Sequence, residues 1–265
     1  MASLRKGSSG QQVLDLQKIL LQRGFDPGTL DGAFGGGTEA ALMAFQHSEG
    51  LLADGIAGPR TLTALGAADP GPLPSVIPGV TVAVVSEMFP RTPISNIKAN
   101  LPPVLNALAE GKLAEKPMVL MALATIRAET EGFVPISEGR SRYNSSPNGH
   151  PFDLYDKRRD IGNQGPPDGA SFCGRGFVQL TGRANYAKFG PIVGLGDRLL
   201  ANPDLANDPV IAAKLLTAFL AAHQLALKRA LLADDLAGAR RLVNGGSHGL
   251  DRFTQAYRTG ERLIA

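Results

Sequence analysis

The sequence predicts a mainly α-helical protein in two parts: a small three-helix module, then a larger helical domain with little β-structure. Three observations carry this. Apolar residues recur at helical spacing through most of the chain. Strand signals are sparse. A proline-rich stretch separates a repeat-bearing N-terminal segment from the remainder.

Composition narrows the class. Hydrophobic residues make up 43% and charged residues 19% of 265, the balance of an ordinary globular protein. The most apolar run, 118–126, is far shorter than the roughly 20 residues a membrane span needs, so no membrane insertion is expected. The N-terminus "MASLRKGSSG" has no apolar core of a secretory signal. Synthesis in the cytoplasm is therefore expected, and so is a monomer. Cys173 is the only cysteine, which rules out an intrachain disulfide. The net charge of +3 arises beyond residue 79, where basic clusters such as Lys157, Arg158 and Arg159 lie. No basic stripe interleaved with aromatics and no zinc-finger spacing accompanies them, so nucleic acid is not an expected partner.

The first element, "GQQVLDLQKILLQRGF", is an amphipathic helix carrying Val13, Leu16, Ile19 and Leu20. An internal repeat follows. "DGAFGGGTEAAL" from Asp31 and "DGIAGPRTLTAL" from Asp54 share the pattern Asp-Gly-x-x-Gly-x-x-Thr-x-x-x-Leu. Asp-Gly makes a tight turn in which glycine can take positive φ. The threonine is expected to cap the following helix, which then buries Leu42 or Leu65. Residues 1–66 thus form one module, near the lower size limit for an independent core. Residues 67–79, with Pro70, Pro72, Pro74 and Pro78, read as a semi-rigid link, because proline fixes its dihedral and lacks a donor.

Residues 80–265 carry helical patterns in "PISNIKANLPPVLNALAEGKL", "KPMVLMALATIRAET", "DPVIAAKLLTAFLAAHQLALKRALL" and "DLAGARRLVNG". "GFVQLTG", 176–182, reads as a strand, and "GVTVAVV", 79–85, fits strand or helix. The run from Met118 to Ile126 is apolar on nearly every face and predicts a central buried helix. Glu129 and Glu131 stand at its edge, Gly132 and Pro135 force the chain out of it, and Glu138 lies on the loop beyond. Loss of hydration disfavours the charged form of a carboxyl. A glutamic acid that keeps its proton near neutral pH can pass it to a glycosidic oxygen. A second carboxylate across a cleft can activate water or stabilise an oxocarbenium-like transition state. From these residues alone, a plain surface pair remains as open as a catalytic one.

Two resemblances sharpen the reading. "LRKGSSGQQVLDLQKILLQRGF", "DGAFGGGTEAALMAFQ" and "GLLADGIAGPRTLTALG" resemble the small peptidoglycan-binding domain found on many cell-wall hydrolases. That resemblance implies attachment to bacterial peptidoglycan, with the loops around Asp31 and Asp54 as wall-binding candidates. "RAETEGFVPISE", "DGASFCGRGFVQLTGRANY", "ANPDLANDPVIAAKLLTAFL" and "RRLVNGG" resemble, in order, segments of the family 19 glycoside hydrolases. That family comprises chitinases and phage endolysins of the lysozyme superfamily. The second resemblance implies a lysozyme-like helical catalytic domain over residues 80–265, acting by inverting hydrolysis without cofactor or metal. It places Glu129 as general acid and Glu138 as second carboxylate. It puts Gln179, Thr181 and Asn185 along the cleft, Thr181 helping to hold the water, and makes Asn244 substrate-binding. Glu131 is the rival for the acid role.

Together the two resemblances imply an endolysin that cuts the β-1,4 bonds of the peptidoglycan glycan. Its expected route to the wall is a phage holin or a secretion system. The chain departs from plant chitinases in having no Trp and too few cysteines for their disulfides. Tyr143, Tyr155 and Tyr186 are left as stacking surfaces for sugar rings. His47, His150, His223 and His248 show no metal-ligand spacing, which argues against a zinc amidase. His223 and Cys173 read as core residues.

Overall fold

The computed structural model describes residues 3–66, 74–246 and 248–264. The chain divides into two compact units, Met1–Leu73 and Pro74–Ala265. Both are helical, and β-structure among the described residues is one two-stranded sheet and three isolated bridges.

The first unit holds α1 (Gln11–Gln22), α2 (Gly36–Ser48) and α3 (Pro59–Ala64) around Val13, Leu16, Leu20, Phe34, Leu42, Phe45 and Leu65. Its repeat is organised by two buried glutamines. Gln17 Nε2 donates to Asp31, to Thr38 Oγ1 and to the carbonyls of Thr29 and Ala33, while its Oε1 accepts from the Gly32 amide. Gln46 does the same for Asp54, Thr61, the Ile56 carbonyl and the Gly55 amide. The threonines therefore do not cap their helices. Gly35 and Gly58 occupy the N-cap positions, and Thr38 and Thr61 lie within the first turn, buried against the glutamines. Removing a partner from a buried polar group costs about 1–3 kcal/mol. Gln17→Ala strips five contacts at once and is expected to destabilise this unit by roughly 3 kcal/mol. Faster hydrogen exchange at the Gly32 and Ala33 amides of the full chain would register the loss.

The second unit contains eleven helices among its described residues. Helices α4 (Val82–Met88), α5 (Ile94–Glu110) and α6 (Lys116–Thr130) come first. Helices α7 (Asp153–Asp156), α8 (Asp168–Ser171), α9 (Arg183–Ile192) and α10 (Arg198–Ala201) follow. The last four are α11 (Pro209–Ala222), α12 (Gln224–Leu232), α13 (Leu236–Asn244) and α14 (Leu250–Leu263). As expected, α6 is the central helix. Met118 to Ala128 are all buried. Helices α4 and α6 pack against α14, and Gly260 permits the approach: a Cβ there would lie 2.5 Å from Leu120 Cδ2 and 2.8 Å from Met88 Cε. Helix α11 covers α5. No single described helix is long and apolar enough to cross a membrane.

Several local expectations change. Residues 67–73 of the link lie outside the described residues. Residues beyond them are packed: Val76 donates its amide to the Ala114 carbonyl at 2.9 Å and rests on the core with Ile77. Most of 79–85 is helix, because Thr81 caps α4 through the Val84 amide. The segment 176–182 is mainly a turn. Strand β2 (Arg175–Gly176) pairs antiparallel with β1 (Ile136–Ser137), and Gln179 at φ +51° reverses the chain so that Arg175 and Leu180 bridge. His223 is half-buried at a 72° bend between α11 and α12, its Nδ1 2.8 Å from the Phe219 carbonyl, rather than inside a continuous helix.

Candidate active site

The end of α6 sets the position of the acids. Glu131 and Phe133 take φ of +49° and +54°, so the chain leaves the helix in two left-handed steps around Gly132. Side chains from the preceding segment hold the freed carbonyls. Thr92 Oγ1 donates to Glu131 O at 2.6 Å and Asn96 Nδ2 to Gly132 O at 2.9 Å. Phe133 returns to the core and packs near Phe89 and Phe177.

Glu129 sits in this last turn with its side chain 12% exposed. Its surroundings are not purely apolar, as its sequence context had suggested. The guanidinium of Arg240, with no exposed surface, stands 2.7 Å away. Arg240 is fixed in turn by the His248 carbonyl, which accepts from its Nε at 3.0 Å and Nη2 at 2.9 Å. Asn244 Nδ2 donates to the same carbonyl at 3.1 Å. Glu129, Arg240 and Asn244 thus form one linked group. Glu131 points elsewhere, to Arg252.

A second group gathers around Gly174. Its amide donates to Glu138 Oε1 at 2.8 Å, and its carbonyl accepts from the Glu138 amide. A Cβ at 174 would lie 2.9 Å from Gln179 Oε1, 3.2 Å from Thr181 Oγ1 and 3.4 Å from Glu138 Cδ. These three predicted residues therefore face one small space. Tyr155 Oη donates to Glu138 Oε2 at 3.3 Å. Burial first, then the charge of Glu138, pushes the Tyr155 phenol up to about 12, so it holds its proton and stays a donor. Asn144 Nδ2 reaches the same oxygen at 3.5 Å. Gln179 is locked to Ile136 O and Gly176 O, and Asn185 to Thr181 O. Gly174→Ala is expected to displace these side chains with little change in melting temperature; the Glu138 amide shift in an NMR spectrum beside a thermal melt checks it.

One expected contact is absent. Tyr186 has no exposed surface; its hydroxyl donates to Cys173 O at 2.9 Å and accepts from Arg175. Burial raises its pKa far above that of free tyrosine. It is a core residue, because its position in α9 faces Phe172 rather than solvent, and it offers no face to a sugar. Tyr143 is 73% exposed and lies under the Arg142 guanidinium. In the N-terminal unit, Asp31 and Asp54 are exposed, but their carboxylates bind the amides of Ala33 and Ile56 in their own loops. The Ala33 amide and Gln17 hold Asp31 below the usual carboxylate range.

Arg240 and Asn144 were missed as site residues, and Tyr155, expected as a stacking surface, instead donates to Glu138. Arg240 had a signal: it shares the buried face of α13 with Leu236, Ala239 and Val243, where an arginine must have a partner. Asn144 sits on a loop and Tyr155 in the one-turn helix α7, so neither gives a periodic cue.

Comparison with known proteins separates the two units. Residues 9–65 match the family model described as "Putative peptidoglycan binding domain". The spore cortex-lytic enzyme of Bacillus cereus is 47% identical over 58 residues, 22% of this chain and 22% of that protein. The acidic 26 kDa endochitinase of Solanum lycopersicum is 48% identical over 44 residues, 16% of this chain and 17% of that protein. The chain thus spans about a fifth of the length of these curated relatives. Among solved structures, chitinase C from Streptomyces griseus is similar over 69% of this chain and 77% of that one, with 20% identity and a TM-score of 0.44.

Proposed function

We propose that the chain is a cell-wall hydrolase that cuts the β-1,4 glycosidic bonds of peptidoglycan. The observation carrying this reading is Glu129, nearly enclosed at the end of the central helix and held by the buried Arg240. Oε1 faces Arg240, which leaves Oε2 to carry a proton to the glycosidic oxygen. Glu138, held by the Gly174 amide and Tyr155, has Thr181 beside it to seat a water on the opposite face of the sugar. Asn185 and Asn244 offer amides to sugar hydroxyls and N-acetyl groups. The N-terminal match supports wall attachment, which raises the local concentration of substrate for the second unit.

A chitinase is the second reading, favoured by the tomato endochitinase match. Purified sacculi and chitin oligomers, each assayed for new reducing ends and new free amines, separate the possibilities. Reducing ends from sacculi exceeding those from chitin are expected. Free amines without reducing ends would transfer the activity to an amide bond.

A further inference from the structure

The C-terminal end of α6 carries a second polar feature that the reaction does not use. Arg127 lies one turn before Glu131 and its side chain is only 9% exposed. Among the described residues its guanidinium has no acceptor within hydrogen-bonding distance. The nearest carboxylate oxygen, on Glu131, is 3.7 Å away. Glu131 is instead drawn to Arg252, with which it makes direct ionic contact. On its other side Arg127 has the Phe89 ring, 5.9 Å from the guanidinium carbon. A guanidinium carries five N–H donors, and those of Arg127 are not fully buried.

The donors are not sealed in. Arg127 lines a cavity of about 380 Å³ with Arg91, Thr130, Glu131 and Gly132. Two guanidiniums and one carboxylate line it, leaving an excess of one positive charge. Burial draws the Arg127 pKa down; Glu131 opposes this, while Arg252 and Arg91 add to it. An anion in the cavity accepts from these donors and offsets the positive charge.

We propose that this pocket binds a carboxylate of an acidic peptide, namely the peptide borne by the glycan that the neighbouring site cuts. The inference rests on reading the chain as a wall hydrolase. A planar carboxylate matches the fork of Arg127 and can take two parallel hydrogen bonds. The pocket includes Thr130, the residue next to Glu129, so a peptide attached to a sugar bound there lies within reach. Its size suits a side-chain carboxylate and its neighbouring atoms, not a folded partner. Peptide recognition here would favour peptidoglycan over chitin, which bears no peptide.

The test is an NMR titration of the full-length protein with a sugar-free acidic tetrapeptide having free carboxylates, following the Thr130 and Gly132 amides. The same peptide with amidated carboxylates, and glycerol phosphate as a phosphodiester-wall mimic, are titrated in parallel. Both amides are expected to shift, with affinity about tenfold weaker for the amidated peptide and for Arg91→Glu. Arg91 is exposed, so its replacement leaves the core intact. Arg127→Gln, checked for folding by its amide spectrum, is expected to abolish the shifts. Silent amides at 130 and 132, shifts indifferent to amidation and to Arg91→Glu, or tighter binding of glycerol phosphate would overturn the proposal. The titration needs no catalysis, so a failed hydrolase assay and a failed peptide site remain distinguishable.

Discussion

Glu129→Gln is expected to slow clearing of purified sacculi by about 100-fold or more, the lower end of what a positioned general acid contributes. Glutamine matches the shape of the side chain, but it has no proton to transfer. Binding to sacculi is expected to persist, because the N-terminal unit is untouched. One side effect must be separated. The substitution removes the negative partner of a guanidinium with no exposed surface, and a buried charge without its partner destabilises. A thermal melt run beside the clearing assay distinguishes a folded, inactive protein from an unfolded one. Retained clearing would move the acid role away from Glu129. It would not pass readily to Glu131, whose carboxylate is turned to Arg252.

Arg240→Met carries the largest expected loss of stability. Methionine fits the apolar face of α13, but it leaves Glu129 without its cation and removes two donors from the His248 carbonyl. Breaking a buried pair from one side costs about 3–5 kcal/mol. For a domain of this size that lowers the melting temperature by roughly 10 °C. Arg240→Lys separates charge from geometry. It keeps the cation but cannot span Glu129 and the His248 carbonyl with one planar fork. It is expected to recover most of the stability while kcat stays depressed. Equal recovery of both would reduce Arg240 to a counter-charge; recovery of neither would make the fork itself the structural requirement.

The same residues show where a sequence is legible and where it is not. The central helix was readable because the run of nine residues from Met118 to Ile126 is apolar on nearly every face and is buried throughout, as a core helix is. The break after it was readable from Gly132 and Pro135. The partner that holds Glu129 was harder to read. Arg240 follows it by more than a hundred residues, and the contact depends on how α13 docks, which periodicity does not encode. Tyr186 failed for a related reason. An aromatic three residues after the helix start can face core or cleft, and the deciding contact is the Cys173 carbonyl reached across the turn. The threonines of the N-terminal repeat obeyed the expected spacing but serve the buried glutamines, whose long side chains reach acceptors that a local reading of turn chemistry does not consider.

The mass of the sugar ends released from sacculi tests the transfer of a proton from Glu129 to a glycosidic oxygen most directly. Acid-assisted attack by water gives muropeptides with hydrated reducing ends, formed by the unaltered chain and lost in Glu129→Gln. Ends one water lighter, as in a 1,6-anhydro sugar, or intact glycan strands freed of their peptides, would contradict it.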